Sequence, residues 1–355
     1  MNWYPLELSF HVRTYAFGER LIPDMLGKTG VPEGIVAETW EISDQKDARA
    51  TVLNGELAGL PFHEVVMEYP EEIVGTGWSG PHFPMLAKFL DASHMLPVHL
   101  HADDETAAAI YAEPNGKSEA WHILWAEPGA TILAGIRDGA TDDELVAAFE
   151  RQDYDAVMYR YPISSGDTVY VPGGILHSFG PNTMIFEIQQ TSDLAQNVMP
   201  VDLLGNPYPP DVWSANIRQT LIELKRDYLP VPNPGLSIHR GANTYRYGCA
   251  GPYFVLERWS LRESHTEPAH PDRCLTISNV GDPVEIRYAN GSQTLDRAQS
   301  CVIPAAMGEF TIEPSGTADL IVCYVPDLAE DVIAPLRAAG YDDEQIAALG
   351  KMPAF

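Results

Sequence analysis

Apolar side chains recur in short runs, most of them four to eight residues long and bounded by Gly, Pro, Asn or Asp. The stretches ATILAGI (130–136), DTVYVPG (167–173), TMIFEIQQ (183–190), YFVLERWSL (253–261), CLTISNV (274–280), PVEIRYA (283–289), SCVIPAA (300–306) and LIVCYVP (320–326) all have this form. Such punctuated runs predict the strands of a sandwich or barrel. They cluster in two blocks, roughly 83–193 and 245–326, which predicts two similar barrels. The extended, proline-rich stretch DYLPVPNPGLS joins them.

Helical periodicity interrupts the strands in three places. In ATDDELVAAFERQ, Thr141 and Glu144 stand at capping-box spacing, predicting a helix to about residue 152. After the breaker NPYPP, the segment DVWSANIRQTLIELKRD puts Val212, Ile217, Leu221 and Leu224 near one helical face. DDEQIAALG predicts a last short helix. The organisation expected is mainly β: two barrels of the double-stranded β-helix or jelly-roll kind with helical insertions. The expected domains are an N-terminal one over 1–240 and a C-terminal one over 241–355, with terminal helices.

Composition then narrows the partners. The 355 residues carry 50 acidic and 22 basic side chains, a formal charge of −28, which opposes binding to nucleic acid or an anionic membrane. No apolar run reaches the length that crosses a bilayer, and the N-terminus has no export signal, so a cytoplasmic protein is expected. Cys249, Cys274, Cys301 and Cys323 lack metal-type spacing and are expected to be reduced core thiols.

Candidate chemistry starts at PVHLHADDE. Residues two apart on a strand share a face, so His99 and His101 can converge on one ion while Leu100 packs behind them. GDTVYVPGGILHSFGPN, with Gly166, Pro172, Gly174 and His177 in order, nearly reproduces the second cupin motif, and HLHADDE resembles the first. Together they predict a bound divalent metal. The fourth ligand is open between Glu105, which fits the generic cupin count, and Glu119, which opens the strand EAWHILWA.

The succession AETWEISD, GLPFHEV, FPMLAKFLDA, HLHADDETA, GKSEAWHILWAEPGA, VPGGILHSFG and EIQQTSD resembles the type I mannose-6-phosphate isomerases over residues 3–193, and more weakly to about 326. The resemblance implies the ligands His99, His101, Glu119 and His177, and leaves Glu105 as a carboxylate at a helix start. It also implies zinc, although imidazole ligands equally suit iron, nickel, copper, cobalt or manganese. Two departures stand out. His99 occupies a position where the family usually has glutamine. After EIQQTSD the chain reads LAQNVMPVD, with Asn197 near the place of an active-site arginine and no basic residue before Arg218. Arginine is the side chain best matched to phosphate, so that gap bears on substrate choice.

Lys88, in MLAKFLD, and Lys117, in GKSE, are the cations expected to face substrate, and Glu187 is an ionisable residue inside an apolar strand. His122, on the other face of the strand from Glu119, is expected to pack rather than ligate. The reaction implied is aldose–ketose interconversion through an enediolate, mannose 6-phosphate to fructose 6-phosphate. Glu187 or Lys117 would shuttle the proton, and no redox cofactor is required. Competing readings are an isomerase or epimerase of an unphosphorylated or modified sugar, an iron cupin dioxygenase, and a non-catalytic sugar-binding cupin. His265 and His270 lack His-x-His spacing, so no metal is expected in the second barrel.

Overall fold

The computed structural model describes residues 1–353. Two antiparallel sheets form a first barrel. One runs in the order His11–Arg13, Glu38–Ile42, Met85–Ala92, Thr183–Gln190, Glu119–Ala126, Thr168–Val171. The other runs Gln196–Asn197, His99–Leu100, His177–Phe179, Thr131–Ile136, Met158–Pro162. The second barrel repeats this plan. Its larger sheet runs Leu236–Arg240, Asn243–Ala250, Val255–Leu261, Ala318–Tyr324, Leu275–Asn279, Ser300–Ile303, and its smaller sheet His265–Glu267, Phe310–Pro314, Val284–Tyr288, Gly291–Leu295. The strand orders match except at Gln196–Asn197, which has no counterpart in the second barrel's smaller sheet, and the match explains why the sequence falls into two blocks of similar punctuation.

The second barrel also borrows from the chain's start. Leu6 and Glu7 pair with Val302 and Cys301, adding an edge strand to its larger sheet. Residue 240 ends one strand of the hairpin Leu236–Arg240/Asn243–Ala250 rather than lying in a linker. The four cysteines are free and buried.

Strands at the sheet centre are covered on both sides. All eight residues of Met85–Ala92 and all eight of Thr183–Gln190 are buried. Any charge there must find a partner, because an unpaired buried ion costs several kcal/mol by order of magnitude. That constraint makes Lys88 and Glu187 informative.

The helices form where capping and periodicity placed them. Thr141 and Glu144 make the reciprocal capping box that starts Asp142–Glu150. A second box, Asp342 with Gln345, starts Asp343–Ala347. The helix Pro210–Glu223 packs Ile217, Leu221 and the following Leu224 on a small core with Leu133, Phe149 and Leu176. Val212 departs from the expected stripe: it is exposed and lines the first barrel's cavity, while Thr220 and Glu223 take buried positions. Glu223 is tolerated there because Tyr111 and Gln219 donate hydrogen bonds to it. Among the described residues, no helix is long and apolar enough to cross a membrane.

Candidate metal centre

His99 and His177 meet across the antiparallel pair they share, in direct register. His101 lies two residues further along the first strand. Each imidazole is fixed from behind by a carbonyl: Nδ1 of His99 on Pro97 O at 2.7 Å, of His101 on Leu194 O at 2.6 Å, of His177 on Ile175 O at 2.8 Å. A carbonyl can only accept, so each Nδ1 carries the proton and each Nε2 presents a lone pair. One ring nitrogen from each of the three lies within 4.8 Å of those of the other two. Burial and the neighbouring imidazoles hold His99 well below the ordinary histidine pKa, and burial with the Lys117 ammonium pushes His101 down to about 3. His99 and His101 are therefore neutral donors.

Glu119 reaches the same point from the opposite sheet. Its Oε1 lies 3.2 Å from His177 Nε2 and its Oε2 3.2 Å from His101 Nε2. Trp121, two residues on, donates Nε1 to Oε1 at 2.9 Å and sets the carboxylate's orientation. Oε2 is buried and accepts no well-formed hydrogen bond, although Lys117 Nζ approaches to 2.7 Å. Burial opposes the carboxylate's charge, but Lys117 and the histidines outweigh it and hold its pKa well below the usual range. Three imidazoles and one ionised carboxylate, each braced from behind, are a donor set that fits a divalent first-row metal. Glu105 takes no part: it is exposed, in the turn Asp104–Thr106 that Asp103 caps.

The lysines and Glu187 extend the cluster. Lys117 Nζ donates to His101 Nε2 at 2.9 Å and lies 3.6 Å from Glu187 Oε1. Lys88 Nζ lies 3.2 Å from Glu187 Oε1 and 3.8 Å from Glu38 Oε2, and 4.6 Å from the Trp40 ring centre. Burial works against the Lys88 ammonium, yet the two carboxylates win and its pKa rises above the lysine norm. Burial, with the charge of Glu119, pushes Glu187 upward despite both lysines. His122 points the other way, onto Thr168 Oγ1 and Arg258.

These side chains line a cavity of about 370 Å³ whose wall also includes Tyr15, Glu38, Trp40, Asp193, Asn197 and Asn216. Among the lining residues the only cations are Lys88 and Lys117. Arg218 is exposed on the Pro210–Glu223 helix and is not part of the wall. Asn197 pairs with His99 at the sheet edge and spends its amide on Val201 O at 2.7 Å. Glu38 and Trp40 were not singled out from sequence as site residues, but a signal existed. Glu-x-Trp occurs at 38–40, 119–121 and 257–259, each on a strand, and in each the indole Nε1 donates to the glutamate, at 2.6, 2.9 and 2.7 Å.

The second barrel shows what the centre becomes when its ligands change. By strand register His265 takes the place of His99, Glu267 of His101, Leu275 of Glu119, and Ile312 of His177. Two of these four positions are apolar. The remaining polar residues satisfy each other: Glu267 accepts from His265 at 2.8 Å and from His270 at 2.7 Å.

Fold and site together define a two-barrel cupin with, among the described residues, one cluster suited to a metal, in its first barrel. Residues 6–122 match the model of the phosphomannose isomerase type I catalytic domain. The chain is 30% identical over 240 residues to the mannose-6-phosphate isomerase of Streptococcus mutans, covering 66% of this chain and 72% of that one. It is 28% identical to the probable mannose-6-phosphate isomerase GmuF of Bacillus subtilis, over 90% of this chain and 99% of the relative. The crystal structure of the mannose 6-phosphate isomerase from Bacillus subtilis superposes with a TM-score of 0.80 at 26% identity, over 90% of this chain and 99% of that one. The protein belongs to the type I phosphomannose isomerase family.

Proposed function

We propose that the protein is a metal-dependent aldose–ketose isomerase that interconverts mannose 6-phosphate and fructose 6-phosphate, with His99, His101, Glu119 and His177 holding one divalent metal, zinc by family resemblance. The observation that carries this reading is the convergence of three imidazoles and the Glu119 carboxylate at one point beside a cavity lined by Lys88, Lys117 and Glu187. When bound, the metal polarises the sugar carbonyl and steadies the negative charge that develops on its oxygen. The chain's own groups do the rest. Glu187, in the cavity wall between Lys88 and Lys117, is placed to take the proton from the carbon beside the carbonyl and return it to the neighbouring carbon. The two ammonium groups are placed to donate hydrogen bonds to the open-chain hydroxyls and to stabilise charge on oxygen. Leu90, Leu96 and Phe179 in the wall limit water around the reacting carbons.

A second reading, an aldose lacking phosphate, is favoured by a separate observation. The wall has no arginine, and both its lysines already pair with carboxylates. Four acidic residues, Glu38, Glu119, Glu187 and Asp193, face the same space. A side-by-side kcat/KM for mannose 6-phosphate and mannose decides between them. A ratio favouring the free sugar overturns the phosphorylated substrate but keeps the isomerase. Absence of turnover for both, with metal bound, overturns the catalytic assignment.

A further inference from the structure

The crease between the two barrels contains a charge imbalance that the metal centre does not explain. Arg246, on the strand Asn243–Ala250, stands directly opposite Arg258 on Val255–Leu261, and Thr244 stands opposite Ser260. Like charges facing each other across neighbouring strands destabilise a sheet unless a counter-charge lies between them. One carboxylate is supplied. Asp319 takes Arg258 in a two-pronged pair, at 2.7 Å on Nε and 2.5 Å on Nη2, while Nη1 of Arg258 donates to His122 Nε2 at 3.0 Å. Arg246 has no carboxylate within ion-pair distance among the described residues, although the chain carries 50 acidic residues.

The first barrel closes over this face with Leu124, Ser165 and Gly166, leaving a pocket of about 330 Å³. Gly166, at φ +95°, brings its backbone close to the guanidinium: a Cβ built there would sit 3.4 Å from Arg246 Nη1, in ordinary contact. Three hydroxyls line the pocket, from Ser165, Thr244 and Ser260. Ser165 Oγ already accepts from Ala126 N at 3.2 Å, so its own proton is free to point inward. His122 adds no charge, since burial and the two arginines push its pKa down to about 3. The site is separate from the metal cavity. His122 and Leu124 lie on the face of their strand opposite to Glu119 and Trp121.

We propose that this crease is a binding site for a phosphate group, gripped by Arg246 and Arg258 and completed by the Ser165, Thr244 and Ser260 hydroxyls. The donor set is the open fork of Arg246, the N–H groups of Arg258 that Asp319 and His122 leave unused, and hydroxyls from both barrels. It suits a tetrahedral oxyanion better than a planar carboxylate, which one guanidinium satisfies alone. Occupancy places a shared counter-ion between the facing arginines and bridges the barrels. The bound species is either free phosphate or a small phosphate ester.

The test is calorimetric titration of the full chain with inorganic phosphate and, separately, with glycerol 3-phosphate, at constant ionic strength. Saturable binding to the wild type is expected for at least one probe, the tighter one identifying the source. Arg246→Gln should weaken it about tenfold or more, and Arg246→Lys should retain part of it. Asp319→Asn, which removes the competing carboxylate, should tighten it, a gain that misfolding cannot imitate and that carries the test alone if Arg246→Gln does not fold. Absence of saturable binding to the wild type overturns the site. Equal affinity in Arg246→Gln overturns it too, because the phosphate is then bound elsewhere, as at the metal centre. So does weaker binding in Asp319→Asn.

Discussion

His177 Nε2 lies 3.1 Å from His99 Nε2 across the strand pair they share. Both Nδ1 atoms are committed to carbonyls, so both Nε2 atoms turn toward the same point. A cation at that point is held by both. His101→Ala and His177→Ala should each lower metal affinity by more than the roughly 10–100-fold typical of losing a supporting residue behind a ligand. The rise in Tm that added metal produces should shrink accordingly. Elemental analysis of the purified variants checks this, and full occupancy in the double variant sinks the assignment.

The two candidate glutamates separate cleanly by position. Glu119 is buried against two of the histidines, whereas Glu105 is exposed in a helical turn. Glu119→Gln should remove most of the metal and with it the activity. Glu105→Gln should leave the metal in place and cost at most about 0.3–1 kcal/mol, the value of a carboxylate near a helix start. Metal content and thermal melts of both variants decide, and the reverse ranking would restore the generic cupin spacing.

Why Glu119 had to be chosen by resemblance is a matter of geometry. The sequence places His99 and His101 on one strand face, because alternation needs only a count of two. It cannot show that the turn carrying Lys117 brings Glu119 alongside them, since that pairing depends on strands separated by long insertions. Glu38 illustrates the same limit: it enters the cavity from the strand Glu38–Ile42, which precedes the first strand-rich block, and Lys88 lies 3.8 Å from it. The repeated Glu-x-Trp pattern was legible, but only the indole-to-carboxylate bonds reveal what it does. The barrels themselves were readable because each strand's turn residues and apolar run agree locally. Val212 misled because helical periodicity does not distinguish a wall of core from a wall of cavity.

Glu187 and Lys88 can be separated by what each substitution leaves behind. Glu187→Gln keeps the shape and leaves Lys88 beside Glu38, so the fold and the metal should persist while kcat falls by about 10²–10⁴-fold, the usual worth of a general base. Lys88→Met instead takes the cation from buried Glu38 and leaves Glu187 with Lys117 alone, and should cost up to about 3–5 kcal/mol of stability. If Glu187→Gln raises KM alone and spares kcat, Glu187 binds substrate and another group moves the proton.

In the second barrel, Glu257 ties stability to pH. Burial, only partly offset by hydrogen bonds from Tyr324 and Trp259, pushes its pKa from 4.5 up to about 7. Between those values the folded protein keeps a proton that the unfolded chain has released, so stability contributed by this residue falls as pH rises through that window and is level above it. The difference of the two pKa values corresponds to roughly 3 kcal/mol. Glu267 acts with the opposite sign and in another range: His265 and His270 hold its pKa down to about 2, so its contribution is present above 4.5 and lost as pH falls toward 2. Glu257→Gln should therefore gain on the wild type as pH climbs from 4.5 to 7, with little further change beyond. Urea melts of both proteins across that window measure the gap between them. A gap that stays constant with pH would mean that Glu257 is as readily ionised in the folded barrel as in the open chain.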